Sequence, residues 1–180
     1  MTATEFLNSL TTVCTDGHSW PLPKIKRAVE IIADGLPDEV RATLAERRIV
    51  FTSTEFAAHL WPDKKPTFRS AFAGLCRMPE DLRERCGEYS WVVAASTTFE
   101  QRAMRLAVGV LVHELAHVYH EDGYRLECAA TVAGGIRNFE LVAVDREDRA
   151  DRTATEWGFG RFIEAMYERC PRRTTGATII

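Results

Sequence analysis

Apolar positions in the first part of the chain recur at helical spacing. Between Pro23 and Asp34 they fall at Ile25, Ala28, Val29, Ile31 and Ile32, with Gly35 at the stop position, which predicts an amphipathic helix. Pro37 to Arg47 predicts a second helix, with Pro37 near its start and Val40 and Leu44 on one face. The residues up to Leu10 have weaker helical character and lead into a loop through Asp16-Gly17 and Pro21. Ile49-Val50-Phe51 predicts a short strand, and Ser53 or Thr54 can cap a brief helix to Leu60. The Trp61-Pro62-Asp63-Lys64-Lys65-Pro66 stretch breaks the pattern and reads as a loop.

Phe68 to Leu75 admits either period, and a strand is expected around Ala73-Gly74-Leu75-Cys76. Met78 to Glu88 is charged and reads as a loop or helical turn. Trp91-Val92-Val93-Ala94-Ala95 is the clearest strand, β-branched and bounded by polar residues. A long helix is then expected from about Thr98 to His120. Leu106 and Val110 lie on its His113 side, Met104, Leu111 and Leu115 opposite, and Val108 and Val112 between. A helix that is apolar on every side is a buried central helix. Glu121-Asp122-Gly123 ends it, and residues 124–144 show no clear period beyond a turn at Gly134-Gly135. Asp145 to Trp157 predicts a helix that Gly158 and Gly160 interrupt, and Arg161 to Cys170 predicts the last one. The expectation is a single α+β domain over residues 1–180. It comprises a helical N-terminal extension (1–48), a core with a small sheet (49–170) and a flexible tail (171–180).

Composition narrows the function classes. A 180-residue chain with 46% apolar and 27% charged residues is neither low-complexity nor disordered in bulk. A net charge of −3, from 23 basic and 26 acidic residues, excludes broad electrostatic binding to nucleic acid or anionic membrane. No secretory leader is visible. The longest apolar stretch, Leu106 to Val112, is too short to cross a bilayer, so a soluble, cytoplasmic protein is expected. The five cysteines are widely spaced, with no C-x-x-C pair, and read as free thiols.

The chemistry lies inside the buried helix, in His113-Glu114-Leu115-Ala116-His117. Helix positions four apart differ by about 40° in direction and about 6 Å in height, so both imidazoles can converge on one zinc ion. Glu114 projects about 100° away, where it can act as general base to a metal-bound water instead of as a ligand. With five His and seventeen Glu, the pattern arises by chance in roughly 1% of shuffled chains, and here it falls on the most apolar helix. Buried imidazoles need partners, and a metal supplies one for each.

Zinc needs a third protein ligand. His120 is close to His113 in phase but lies a further turn along the axis, where a straight helix does not bring all three histidines onto one ion. The acidic segment downstream fits better. On a helix, Glu147, Ala150, Asp151 and Ala154 share a face; the alanines permit close approach and the acids point at the metal region. Glu147 is the expected ligand, with Asp148 its main rival and Glu140 and Glu156 further alternatives. Asp151 is expected to accept a hydrogen bond from the far nitrogen of a ligating histidine. His18 and His59 are isolated, and Gly158-Phe159-Gly160 follows no strand and is no phosphate loop.

HELAH followed by the E-x-x-A-D of Glu147, Ala150 and Asp151 resembles the gluzincin clan of zinc metallopeptidases, in particular the M48 family, over residues 73–160. The membrane-spanning helices of membrane-type M48 enzymes have no counterpart here. The likeness is to a minimal soluble domain; compact domains of the ImmA/IrrE-like group carry the same motif. The resemblance implies a zincin-like fold and hydrolysis of peptide or protein substrates. It also implies zinc ligation by His113, His117 and Glu147, a base role for Glu114 and histidine support from Asp151. The strand at Trp91–Ala95, or that at Ala73–Cys76, would then form the sheet edge beside the cleft. Tyr119, His120, Tyr124 and Arg152 are candidates to stabilise an oxyanion. The alternative from another class is a zinc-stabilised binding or regulatory module without peptidase activity.

Overall fold

A computed structural model describes residues 1–13, 22–60, 71–122, 124–125 and 136–169. Three helices and two strands come first: α1 (Ala3–Ser9), β1 (Thr11–Thr12), α2 (Pro23–Gly35), α3 (Asp38–Ala45) and β2 (Ile49–Ser53). They are followed by α4 (Thr54–Leu60), β3 (Ala71–Arg77), α5 (Glu80–Cys86), β4 (Tyr89–Ala95) and α6 (Met104–Tyr119). The chain continues through β5 (Tyr124–Arg125), α7 (Ile136–Ala154) and α8 (Gly160–Arg169). The fold is α+β, with a mixed five-stranded sheet in the order β1-β2-β4-β3-β5. Strands β1, β2 and β4 are parallel, β3 runs antiparallel to β4, and β5 pairs in parallel with β3.

Strand alternation sorts the sheet into two faces. Ile49, Phe51, Ala73, Trp91, Val93 and Ala95 pack into the larger core with α2 and α6. Val50, Phe72, Cys76, Val92 and Ala94 face the other way, into a smaller cluster with Ala57 of α4 and Cys86 of α5. Both faces of β4 are therefore covered, which explains its run of apolar and β-branched residues in place of an alternation. Helix α6 is central: α2, α3, α7, α8 and the sheet all pack on it, and Leu106 through His113 are buried without a break. At the turn from α2 to α3 the buried Arg41 donates to the carbonyls of Ala33 (2.7 Å) and Leu36, which α2 leaves unpaired at its end.

Four expectations change. Helix α6 begins at Met104, not near Thr98; Thr97–Gln101 is a separate 3-10 turn. Ser96 caps that turn, accepting from Thr98 N at 3.2 Å, and the Glu55 carboxylate holds Thr97 through N and Oγ1. Contacts from afar thus hold the segment before α6, Glu55 at Thr97 and Lys24 at the Arg102 carbonyl (2.8 Å), which local spacing does not contain. The charged Glu80–Cys86 stretch is a full helix, closed by Gly87 at φ 86°. Helix α7 starts at Ile136, nine residues before the expected Asp145, and ends at Ala154. A π-type turn at Thr155–Phe159, with Gly158 at φ 94°, carries it into α8. Finally, Trp91–Ala95 lies between β2 and β3 and is no sheet edge; β3 lies nearer the edge, and β5 covers it at Gly74 and Leu75. The expected loops at 14–21 and 61–66, the turn at 134–135 and the tail 171–180 lie outside the described residues, as does His18.

Helices α6 and α8 meet at Gly109. A Cβ there would lie 2.2 Å from the Phe162 carbonyl oxygen, a backbone atom that no rotamer change can move aside. Gly109→Ala should therefore lower unfolding stability by about 1–3 kcal/mol or more, read as a lower urea midpoint with an unchanged slope.

Candidate metal centre

The turn of α6 that carries His113 and His117 stacks their rings edge to face, with centroids 4.7 Å apart. Both side chains are buried. Across from them α7 packs closely, because Ala150 and Ala154 turn fully buried methyl groups toward the core. One turn before Ala150 and Asp151, Glu147 meets both imidazoles. His113 Nε2 lies 3.1 Å from His117 Nε2 and 3.1 Å from Glu147 Oε2, and His117 Nε2 lies 3.4 Å from Glu147 Oε1. Ligands each about 2.0–2.1 Å from a tetrahedral zinc ion stand roughly 3.3 Å from one another. Each imidazole Nε2 stands at about that spacing from the other and from the nearer Glu147 oxygen, a different oxygen for each ring. One ligand atom from each residue lies within 4.8 Å of the others, and the group is one that could hold a metal ion.

The other ring nitrogens explain why. His113 Nδ1 donates to Asp151 Oδ1 at 2.7 Å, and His117 Nδ1 donates to Asp122 Oδ1 at 2.8 Å. An ionised carboxylate only accepts, so each Nδ1 keeps its hydrogen and each Nε2 is left to face the centre. The two Nε2 atoms and the half-exposed Glu147 carboxylate then converge on one point. A divalent cation there would meet all three donors.

The titration behaviour of the metal-free site follows from the same geometry. Burial works against charging His113, but hydrogen bonds to Asp151 and Glu147 outweigh it and raise the imidazole to about 10. Burial is likewise outweighed at His117 by Asp122 and Glu147, and its pKa rises to about 9. Burial also opposes ionisation of Glu147, yet its bonds to both imidazoles hold it far below the usual carboxylate range. Protons and a divalent cation therefore compete for the same electron pairs.

Glu114, between the two histidines in sequence, is not a member of the ligand group. It is partly buried; burial pushes its pKa up, against the pull of His113 and His117, and the Ala73 backbone N–H on β3 bonds to its carboxylate. The other candidates go elsewhere. His120 Nε2 pairs with Thr153 Oγ1 at 2.7 Å, and Asp148, Arg152 and Glu156 are exposed. Tyr119 packs edge-on against Trp157. The side chains of His59, Tyr124 and Glu140 lie outside the described residues.

Three residues of the centre escaped the sequence reading: Asp122, Arg149 and Tyr167. Tyr167 of α8 donates to Asp151 Oδ2 at 2.5 Å. Asp122 arrives through the end of α6. Glu121 N bonds to Val118 O and Asp122 N to His117 O, both at 3.1 Å, with Glu121 in the left-handed region at φ 54°. This is a Schellman ending, which folds the second residue past the cap back onto the last turn. The available signal was an acid five residues after His117, at the point where the helix stops. Gly123 disguised it, since a glycine is the expected left-handed residue and Glu121 takes that place instead.

The chain matches no protein family, no curated protein and no solved structure.

Two measurements check the centre. Glu147→Ala should abolish uptake of a divalent cation at this group, whereas Asp148→Asn should retain it, both read by elemental analysis after loading and dialysis. A divalent cation that binds there, at a thousandfold excess over its dissociation constant, should stabilise the wild-type fold by about 4 kcal/mol. Chelation should reverse the gain, and the affinity should weaken as pH falls, because uptake of the metal expels protons from His113 and His117.

Proposed function

We propose that the chain is a zinc-dependent metallopeptidase of gluzincin type on a zincin-like fold, hydrolysing bonds in peptide or protein substrates with Glu114 as general base. The observation that carries this reading is the convergence of three electron-pair donors, His113, His117 and Glu147, beside a carboxylate that is not one of them. A structural zinc site closes with four protein ligands; among the described residues this group has three. Zinc, when bound, supplies a water of lowered pKa and a Lewis acid for the substrate carbonyl.

The remaining work belongs to the chain. Asp151 and Asp122 hold the imidazoles in the tautomer that turns Nε2 to the centre. The Ala73 amide steadies the Glu114 carboxylate, and burial raises its proton affinity. Glu114 takes the proton of the attacking water on a carboxylate oxygen and hands it to the departing amine nitrogen. The same group thus serves first as base and then as acid. No helix among the described residues is long and apolar enough to cross a membrane.

Glu114→Gln should cut hydrolysis of a mixed peptide library by about 10²–10⁴-fold, with one zinc per chain retained. Cleavage at the wild-type rate would remove the base assignment. Wild-type protein that binds zinc but cleaves nothing in the library would favour a zinc-stabilised binding module.

A further inference from the structure

Helix α7 reaches the centre by a third route besides Glu147 and Asp151. Arg149 donates to Asp122 Oδ2 through Nε at 3.0 Å and also through Nη2, while Asp122 Oδ1 accepts from His117 Nδ1 at 2.8 Å. The two oxygens of one carboxylate are thereby divided between a guanidinium and a histidine. The Asp122 side chain is only 5% exposed, so it depends on both partners. Its backbone is engaged too: its N–H reaches His117 O at 3.1 Å, and its carbonyl accepts from Arg146 Nη1 at 3.4 Å.

We propose that Arg149 is a positioning residue for metal binding, acting through Asp122 to aim His117 Nε2 at the centre. This rests on the metal-binding reading given above. Without the guanidinium, Asp122 Oδ2 is a buried acceptor with no other side-chain donor among the described residues, and the carboxylate relieves that cost by rotating outward. That rotation loosens the bond that holds the His117 ring. His113 has its own support, since Asp151 is held by Tyr167 from α8. Loss of Arg149 therefore disturbs one histidine and spares the other. Arg149 itself is nearly half exposed, so a substitution there opens no core cavity.

The experiment uses the full chain with Asp122→Asn, Arg149→Met and the double variant. Zinc affinity is read by competition with a chromophoric chelator, and ligand geometry by the visible spectrum of the cobalt(II)-loaded protein. Asp122→Asn should weaken zinc binding by about 10–100-fold. Arg149→Met should weaken it by on the order of tenfold and shift the cobalt bands. The double variant should be no weaker than Asp122→Asn alone, because Arg149 acts only through that carboxylate. If Arg149→Met does not fold, as judged by circular dichroism, Arg149→Gln takes its place in the cycle. Wild-type zinc affinity and an unshifted cobalt spectrum in the Arg149 variant would overturn the proposal, leaving a salt bridge that only seals the end of a helix. So would losses that multiply in the double variant. A wild-type chain that binds no zinc at all would instead overturn the underlying metal-binding reading, and this proposal with it.

Discussion

Two imidazoles one turn apart on a buried helix force the arrangement around them. Each ring offers two nitrogens, and an apolar interior offers them nothing. The protein answers on one side with carboxylates, the partly buried Asp151 for His113 and the buried Asp122 for His117. That answer fixes both tautomers and turns the remaining lone pairs toward each other and toward Glu147. Protons on the two imidazoles answer the ionised Glu147 in the metal-free site, and a divalent cation would take their place. The centre is thus a consequence of burial as much as of ligand identity.

Helix α7 looks like a solvated charged helix in sequence, yet its inner face carries much of the site. Ala150 and Ala154 let it come close, Glu147 meets the histidines, and Asp151 and Arg149 reach the groups behind them. Helix α8 contributes from further out. The absence of a Cβ at Gly109 lets the α8 backbone lie against α6, and the same helix brings Tyr167 to Asp151. Close packing of α8 on α6 and its hydrogen bond to α7 behind His113 therefore both depend on where α8 lies.

Local patterns were legible where a residue's neighbours in sequence are also its neighbours in space. Strand β4, helices α2 and α3, the cap at Ser53 and the apolar α6 all follow from spacing and propensity. The failures share a cause. The 3-10 turn that precedes α6 is held by Glu55 binding Thr97, a contact between residues 42 apart, and by Lys24 on the Arg102 carbonyl, 78 apart. The Asp122 contact depends on Glu121 accepting a left-handed conformation in place of Gly123. The sheet edge depends on β5 pairing with β3 rather than on any property of β3 itself.

The linear order of residues determined which side chains can share a helical face: His113 with His117, and Glu147 with Ala150, Asp151 and Ala154. Helix periodicity alone guarantees that much, because bonds along one helix set those directions before any tertiary contact forms. Only the packed structure decided that α7 lies across from α6 with Glu147 rather than Asp148 turned inward, and that Asp122 and Arg149 join the site. Those choices hang on how surfaces far apart in the chain fit together. That fit depends on volume, close backbone approach and the need to satisfy buried polar groups, none of which a local window contains.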